Sequence, residues 1–252
     1  LVLRFLCEGV ILAGDLWQQW QIIFAVIAAL SMLTGNLVAL VQSNMKRLMA
    51  YSSIGHIGYI LAGITVLSAE SAMAVNSVSF YLIGYAVTNM VVFAAIISFF
   101  NMTGKDDISD LRGLADTHPL LAASIAIGLF SLAGLPIFAG FTAKFYLFTI
   151  VASSGFLWLA GVAIISSLIS LYYYLQIVRQ MYIEKSDGGI MDPIAVEPGG
   201  NAAELSASIA KPSRIIAGVL LVGLLVVVWL GVYPAPLLEI IDIASQALII
   251  GS

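Results

Sequence analysis

Charge is scarce along this chain. Only 10% of its 252 residues are Asp, Glu, Lys or Arg, while 61% are hydrophobic. A water-soluble domain carries roughly 25% charged residues. A surface made from this composition must therefore meet lipid over much of its area. The net charge of −4 carries little meaning, because in a membrane protein the placement of charges matters more than their sum. Cysteine is nearly absent too. Cys7 stands alone, which excludes a disulfide within the chain and a metal site built on thiolates, and leaves it a packing role near an apolar helix end. There is no Gly-rich nucleotide fingerprint, no cysteine cluster for iron–sulfur ligation, and no histidine pair spaced to hold haem or metal on one helix face. No stretch alternates with period two, so a transmembrane barrel is excluded.

What remains is long apolar runs. A helix needs about 20 apolar residues to cross the hydrocarbon core, and six stretches qualify: 20–42, 46–68, 74–100, 119–151, 156–183 and 213–233. Residues 1–13 read as the end of a further helix. The chain opens on Leu1, and LVLRFLCEGVILAG has no signal-peptide pattern, so residues upstream are expected. The expected organisation is that helix end at 1–13, five spans within 14–183, a polar Gly- and Pro-rich loop at 184–211, a last span at 212–233 and a tail at 234–252. In the tail, Leu237, Ile240, Ile241, Ala244 and Leu248 recur at helical spacing opposite Glu239, Asp242 and Gln246. That pattern is an amphipathic helix, lying along the outer interface or packed on a neighbouring subunit.

The basic residues orient this weave. Lys46, Arg47, Lys105, Arg112, Arg179, Lys185, Lys211 and Arg214 all fall on one face if the chain simply passes back and forth. The opposite loops carry Asp15 and Glu70. The basic face is then the cytoplasmic or matrix side. Of the other two basic residues, Arg4 precedes Glu8 by one helical turn, within pairing reach, or snorkels outward.

The other is Lys144. It lies within the span 119–151, about eight residues, or about 12 Å, from the outer end. Its arm is too short to reach water easily. A charge at that depth costs several kcal/mol unless it gains a partner or a hydrated cavity, and a lysine balanced between its two forms can take up and release a proton. The bland alternative is permanent pairing with a buried carboxylate, which this chain does not securely supply. The same span contains Gly134, Pro136 and Gly140. Proline removes a donor and clashes with the carbonyl four residues back, here that of Leu132. With a span longer than one crossing needs, this predicts a discontinuous helix whose freed backbone groups face a cavity. His56 sits near mid-depth in the second span, where imidazole can relay a proton or simply bond a carbonyl. Tyr59, Tyr85, Thr88, Asn89, Ser166, Ser167 and Ser170 could hold waters between such groups or act as interhelical glue. His118, just before Pro119, reads as a helix-start or proton-uptake residue.

Two runs carry a family resemblance: NMKRLMAYSSIGHIGYILAGI, from Asn44 to Ile64, and SLAGLPIFAGFTAKFYLF, from Ser131 to Phe148. Together with the run from Leu171 to Leu175 (LYYYL), they resemble the antiporter-like membrane subunits of respiratory complex I. Within that family AYSSIGHIGY and LYYYL are closer to the subunit N (mitochondrial subunit 2) branch than to its two larger relatives. The resemblance implies an all-α integral membrane protein, the C-terminal portion of a fourteen-helix fold with inverted repeats, whose discontinuous helix spans about 119–151. It implies that Lys144 corresponds to the family's lysine on the broken helix, that His56 lies on its polar central axis, and that Lys46 and Arg47 are the basic pair of a connecting turn. The family's charged residues of the N-terminal half would lie outside this chain, on a separate one or upstream of Leu1.

The resemblance further implies a role in proton translocation driven by quinone reduction, with other complex I membrane subunits and the lipid bilayer as partners and no nucleic acid. No cofactor is expected in this chain; NADH, FMN, iron–sulfur clusters and quinone would belong to partner subunits. The expected location is a bacterial cytoplasmic membrane or a mitochondrial inner membrane. Two rivals stand beside this reading: a subunit of a multi-subunit cation/proton antiporter, and a non-pumping membrane scaffold.

Overall fold

The computed structural model describes residues 16–67, 72–184 and 214–250. The expected helix end at 1–13, with Arg4, Cys7 and Glu8, lies outside these residues, as do Asp15, Glu70, Lys185, Lys211 and nearly all of the 184–211 loop. Among the described residues the structure is helical. Helices α1 (Leu16–Leu40), α2 (Met45–Thr65) and α3 (Ala72–Thr103) come first. A 3-10 turn (Ile108–Leu111) and a short α4 (Leu114–Thr117) follow. Then come α5 (Pro119–Ala133), α6 (Ala139–Ser153), α7 (Leu157–Tyr182), α8 (Arg214–Val232) and α9 (Ala235–Ile250). Five helices are long and apolar enough to cross a membrane, namely α1, α2, α3, α7 and α8, whereas α5 and α6 are shorter apolar helices. The single span expected at 119–151 is thus two helices in series, and the chain is a multi-pass membrane protein.

One end of the bundle is tied by polar contacts. Asn44 caps α2, its side-chain oxygen accepting from the amides of Lys46 (3.1 Å) and Arg47 (3.2 Å), which satisfies two donors a helix start leaves free. The Met45 amide donates to the Asp106 carbonyl at 2.9 Å, and the Ile108 amide to Ser43 at 2.8 Å. Lys46 pairs with Asp106 at 3.3 Å, and Arg112 with Glu184 at 3.1 Å. These contacts bring the α1–α2 turn, the α3–α5 connection and the end of α7 to one face. The weave read from the basic residues puts the same three connections together.

At the other end, Trp17 donates its indole N–H to the Leu67 carbonyl at 3.0 Å. Helix α9 packs there against the start of α3: Asn76 donates to Asp242 at 2.7 Å, and Ile241 and Ser245 are buried. Ile240 and Ile243 stay exposed. Part of the tail's apolar stripe is therefore covered by this same chain, and part faces outward.

The buried apolar side chains form two clusters. One gathers Met45, Leu48, Met49, Phe99, Leu111, Leu121, Tyr174 and Ile177 toward the basic end. The other gathers Met32, Ala62, Val75, Phe80, Leu147, Val151 and Leu159 toward the opposite end. Between them each long helix of the inner bundle places buried polar groups at one level: Asn36 on α1, Ser52 and His56 on α2, Thr88 on α3, Ser131 on α5, Lys144 on α6, and Ser166 and Ser170 on α7. The fold is two apolar layers with a polar layer held between them.

Helices α1 and α2 approach so closely that backbone meets backbone. A Cβ on Gly35 would lie 2.5 Å from the Gly55 amide nitrogen, and one on Gly58 would lie 2.7 Å from the Met32 amide nitrogen. Small residues permit such contact, and dispersion then holds membrane helices together. Gly58→Val should lower stability by about 1–3 kcal/mol through overpacking, read as earlier thermal unfolding. An unchanged unfolding midpoint would contradict this packing.

Candidate functional site: a lysine at a broken helix

Helix α5 ends where Gly134 turns left-handed, with φ +86°. The Gly134 amide donates to Phe130 and Ser131, and the Leu135 amide donates to Phe130 at 3.0 Å. This is the glycine-terminated helix end described by the general capping pattern. Gly134 thus stops the helix before Pro136 is reached, and the clash foreseen at Leu132 does not arise. Pro136 lies in the turn between the two helices. Ile137 there holds φ 84°, a conformation strained for a β-branched side chain. Helix α8 covers the turn. A Cβ on Gly231 would strike the Ile137 and Phe138 backbone, and Gly231 accepts a hydrogen bond from Thr142 at 3.2 Å.

Because α5 stops at Ala133, its last carbonyls lack helical partners and carry the negative end of the helix dipole. Lys144, on the second turn of α6 and 5% exposed, is aimed at them. Its Nζ donates to the Ala133 carbonyl at 3.1 Å and to the Ser167 hydroxyl at 2.8 Å. Ser167 itself donates to the same carbonyl at 3.3 Å. The Tyr59 ring centroid lies 5.2 Å from Nζ, within the range of a cation–π contact. Among the described residues no carboxylate pairs with Lys144 and no metal-binding cluster is found. Among the described residues the ammonium is balanced by these dipoles and the Tyr59 ring.

The glycines fit this geometry. A Cβ at Gly134 would stand 3.0 Å from the Lys144 Cδ. One at Gly140 would overlap the Ser131 carbonyl, because α6 starts directly against the end of α5. The Gly140 amide also donates to the Ser131 hydroxyl at 3.1 Å, and Ser131 contacts Thr88 at 3.1 Å.

His56 is 4% exposed. Its Nδ1 meets the Tyr81 hydroxyl at 2.7 Å, its ring stacks on Tyr85 at 4.8 Å, and Tyr59 stands edge-on at 5.6 Å. No direct hydrogen bond joins His56 to Lys144. Instead both line one small cavity, with Tyr81, Gly84, Tyr85, Thr88, Ser131, Leu132, Gly140 and Ala143. The space admits about one water-sized molecule. His118 is placed apart, where its backbone joins α4 to α5: its amide donates to Leu114 and its carbonyl accepts from Ala122.

Sequence reasoning missed Ser131, Asn36 and Tyr81. Each is a polar residue within an apolar run, the same signal that drew attention to Thr88 and Ser166, and Tyr81 stands one turn from Tyr85. The Ala133 carbonyl carries no residue-type signal at all.

Gly134→Ala should cost about 1–2 kcal/mol for a left-handed residue with a side chain and should also push the Lys144 arm away from Ala133. The expected result is an earlier thermal unfolding transition. An unchanged unfolding midpoint would contradict the positioning described.

The family model described as NADH:quinone oxidoreductase/Mrp antiporter, TM, matches residues 5–170. NADH-quinone oxidoreductase subunit N of Moorella thermoacetica is 40% identical over 223 residues, which is 88% of this chain and 43% of that protein. Subunit N of Heliobacterium modesticaldum is 36% identical over 247 residues, 98% of this chain and 48% of that protein. The chain spans about half the length of these curated relatives. Among solved structures, a chain of the Mrp complex from a Dietzia species matches with TM-score 0.76 and 25% identity, over 92% of this chain and 48% of that one. A chain of respiratory complex I from Thermus thermophilus matches with TM-score 0.73 and 25% identity, over 92% and 45%. With its broken helix, its buried lysine and these matches, the chain belongs to the NADH:quinone oxidoreductase/Mrp antiporter transmembrane family.

Proposed function

We propose that this chain is part of a proton-translocating membrane subunit of an NADH:quinone oxidoreductase. The observation that carries the reading is Lys144: a buried ammonium held by a helix-end carbonyl and a hydroxyl, with no carboxylate partner among the described residues. With no fixed counter-charge among the described residues, such a group can take up and release a proton. Permanent ion pairing is the arrangement that would prevent turnover, and no ion pair holds Lys144 among the described residues.

In this mechanism His56 and Lys144 exchange a proton across their shared cavity. Two cations in one small low-dielectric space repel, so loading Lys144 is linked to discharge of His56. The amine that gains the proton is steadied as ammonium by Ala133 and Ser167, and release leaves Ser167 able to donate back to it. Quinone reduction elsewhere in the complex supplies the driving force by shifting the field on this polar layer. The NADH, FMN, iron–sulfur and quinone chemistry sits in partner subunits, among them neighbouring antiporter-like and small membrane subunits. The remaining half of the fold is supplied by sequence outside this chain. The membrane is a bacterial cytoplasmic one, in keeping with the bacterial sources of the relatives.

A cation/proton antiporter subunit is the second reading, supported by the likeness to the Dietzia Mrp complex. The sequence likeness to subunit N, at 36–40% identity, favours the oxidoreductase. The two separate on whether NADH-driven electron transfer depends on this chain.

Lys144→Ala in the assembled complex, in sealed vesicles, should lower the protons moved per electron delivered to quinone, with or without slower turnover. Unchanged turnover and unchanged protons per electron would sink the assignment and favour a scaffold.

A further inference from the structure

Lys144 has neighbours on two sides. The cavity it shares with His56 is walled by α2, α3, α5 and α6. Its hydroxyl partner Ser167 belongs to α7, on the other side. From Ser167 buried polar groups continue away from the cavity. The Tyr59 hydroxyl lies near Ser167, Ser166 and Asn36 and is buried without a hydrogen-bond partner among the described residues. Asn36 donates to Ser166 at 2.7 Å and accepts from the Tyr173 hydroxyl at 2.8 Å. The Tyr173 ring stands edge-on to Tyr174 at 4.5 Å, and the Tyr174 hydroxyl shares a short hydrogen bond with Ser52. Tyr59, Asn36, Tyr173, Tyr174 and Ser52 are each at most 2% exposed.

This row climbs. Tyr174 is seven residues further along α7 than Ser167, about 10 Å toward the basic face at the helical rise. Ser52 is one turn nearer that face than His56. Beyond Ser52 stand the buried apolar Met45, Leu48 and Met49, with Leu111 and Leu114 packed in the same cluster. The row is therefore closed toward the basic face by a dry plug about 10 Å deep along α2.

We infer that Lys144 has a second proton connection, independent of His56, through Ser167, Tyr59 and Tyr173 to Ser52, opening toward the basic face when the Met45–Leu48–Met49 plug is wetted. The inference rests on Lys144 being the proton-transfer group proposed above. Each hydroxyl in the row takes a proton from the basic side and passes its own onward. O–H bonds broken and formed are equal in number, and the neutral Lys144 amine ends as ammonium. Asn36 is a positioning residue: its amide fixes the Tyr173 phenol and Ser166 and carries no proton itself. Waters at the unbonded Tyr59 hydroxyl would complete the steps from Ser167 to Tyr59 and from Tyr59 to Tyr173. Two inputs to one lysine would let it be reloaded from the basic side while His56 reports the state of the polar layer.

The test uses the assembled complex in sealed vesicles, comparing Tyr173→Phe, Lys144→Ala and Ser153→Ala. Ser153→Ala removes one exposed hydrogen bond, to the Ile150 carbonyl, on the same helix as Lys144 and outside the row, and should leave protons per electron unchanged. Tyr173→Phe keeps the ring and deletes the hydroxyl, and should lose part of the proton translocation that Lys144→Ala loses, because the His56 input remains, while assembly on native gels is retained. A merely structural hydroxyl would change assembly and leave the proton-to-electron ratio alone. Should Tyr173→Phe assemble poorly, Ser52→Ala carries the same expectation. A normal ratio in the hydroxyl variants beside a lowered one in Lys144→Ala overturns the second connection and leaves the role of Lys144 standing. A normal ratio in Lys144→Ala overturns both.

Discussion

A lysine between two apolar layers needs fixed oxygens, and in this chain they come from an interrupted helix. Lys144 binds the last carbonyl of α5 and a hydroxyl of α7. A continuous helix over 119–151 would have spent the Ala133 carbonyl on its own backbone, and the ammonium would have faced hydrocarbon at a cost of roughly 2.5–3.5 kcal/mol or more. The left-handed turn at Gly134 frees that carbonyl. The glycine at 140 lets α6 begin against it, and Gly231 lets α8 close over the turn. Helix break, lysine and covering helix therefore depend on one another.

The same constraint explains the layered interior. Most polar residues in the middle level make a hydrogen bond to backbone or to another helix: Asn36 to Met32 and Ser166, Thr88 to Gly84, Ser166 to Met32, His56 to Tyr81. In a hydrocarbon surrounding an unmade bond is costly, so these groups are buried at one level where they can meet. A polar layer between two apolar ones can hold a mobile proton while denying ions a wet passage. Structure and proposed function share that arrangement.

Much of this was legible in the residues. The apolar runs placed the spans because lipid thickness sets helix length. Gly134 and Pro136 located the break, although the glycine cap ends the helix where the proline clash had been expected to. Lys144 and His56 drew attention as ionisable residues at depth, and the structure brings both to one cavity. Other parts carried no signal. Ile137 adopts a positive φ that its type disfavours, because tertiary packing by α8 overrides local preference. Ala133 acts through its carbonyl, which every residue has. Asn36 and Tyr173 meet across about 137 positions of sequence, a pairing no local pattern contains. The tail helix was readable as amphipathic, but which surface its apolar stripe would meet was not.

The central claim is that Lys144 changes its charge during turnover while bound at the helix break. Infrared difference spectroscopy on the assembled complex, with isotope-labelled lysine and the Lys144→Ala complex as the subtraction reference, reads this most directly. The account predicts an ammonium band belonging to Lys144 that changes intensity when NADH-driven quinone reduction begins and returns when it stops. A Lys144 band of constant intensity through turnover would show a permanently charged structural lysine and contradict the account.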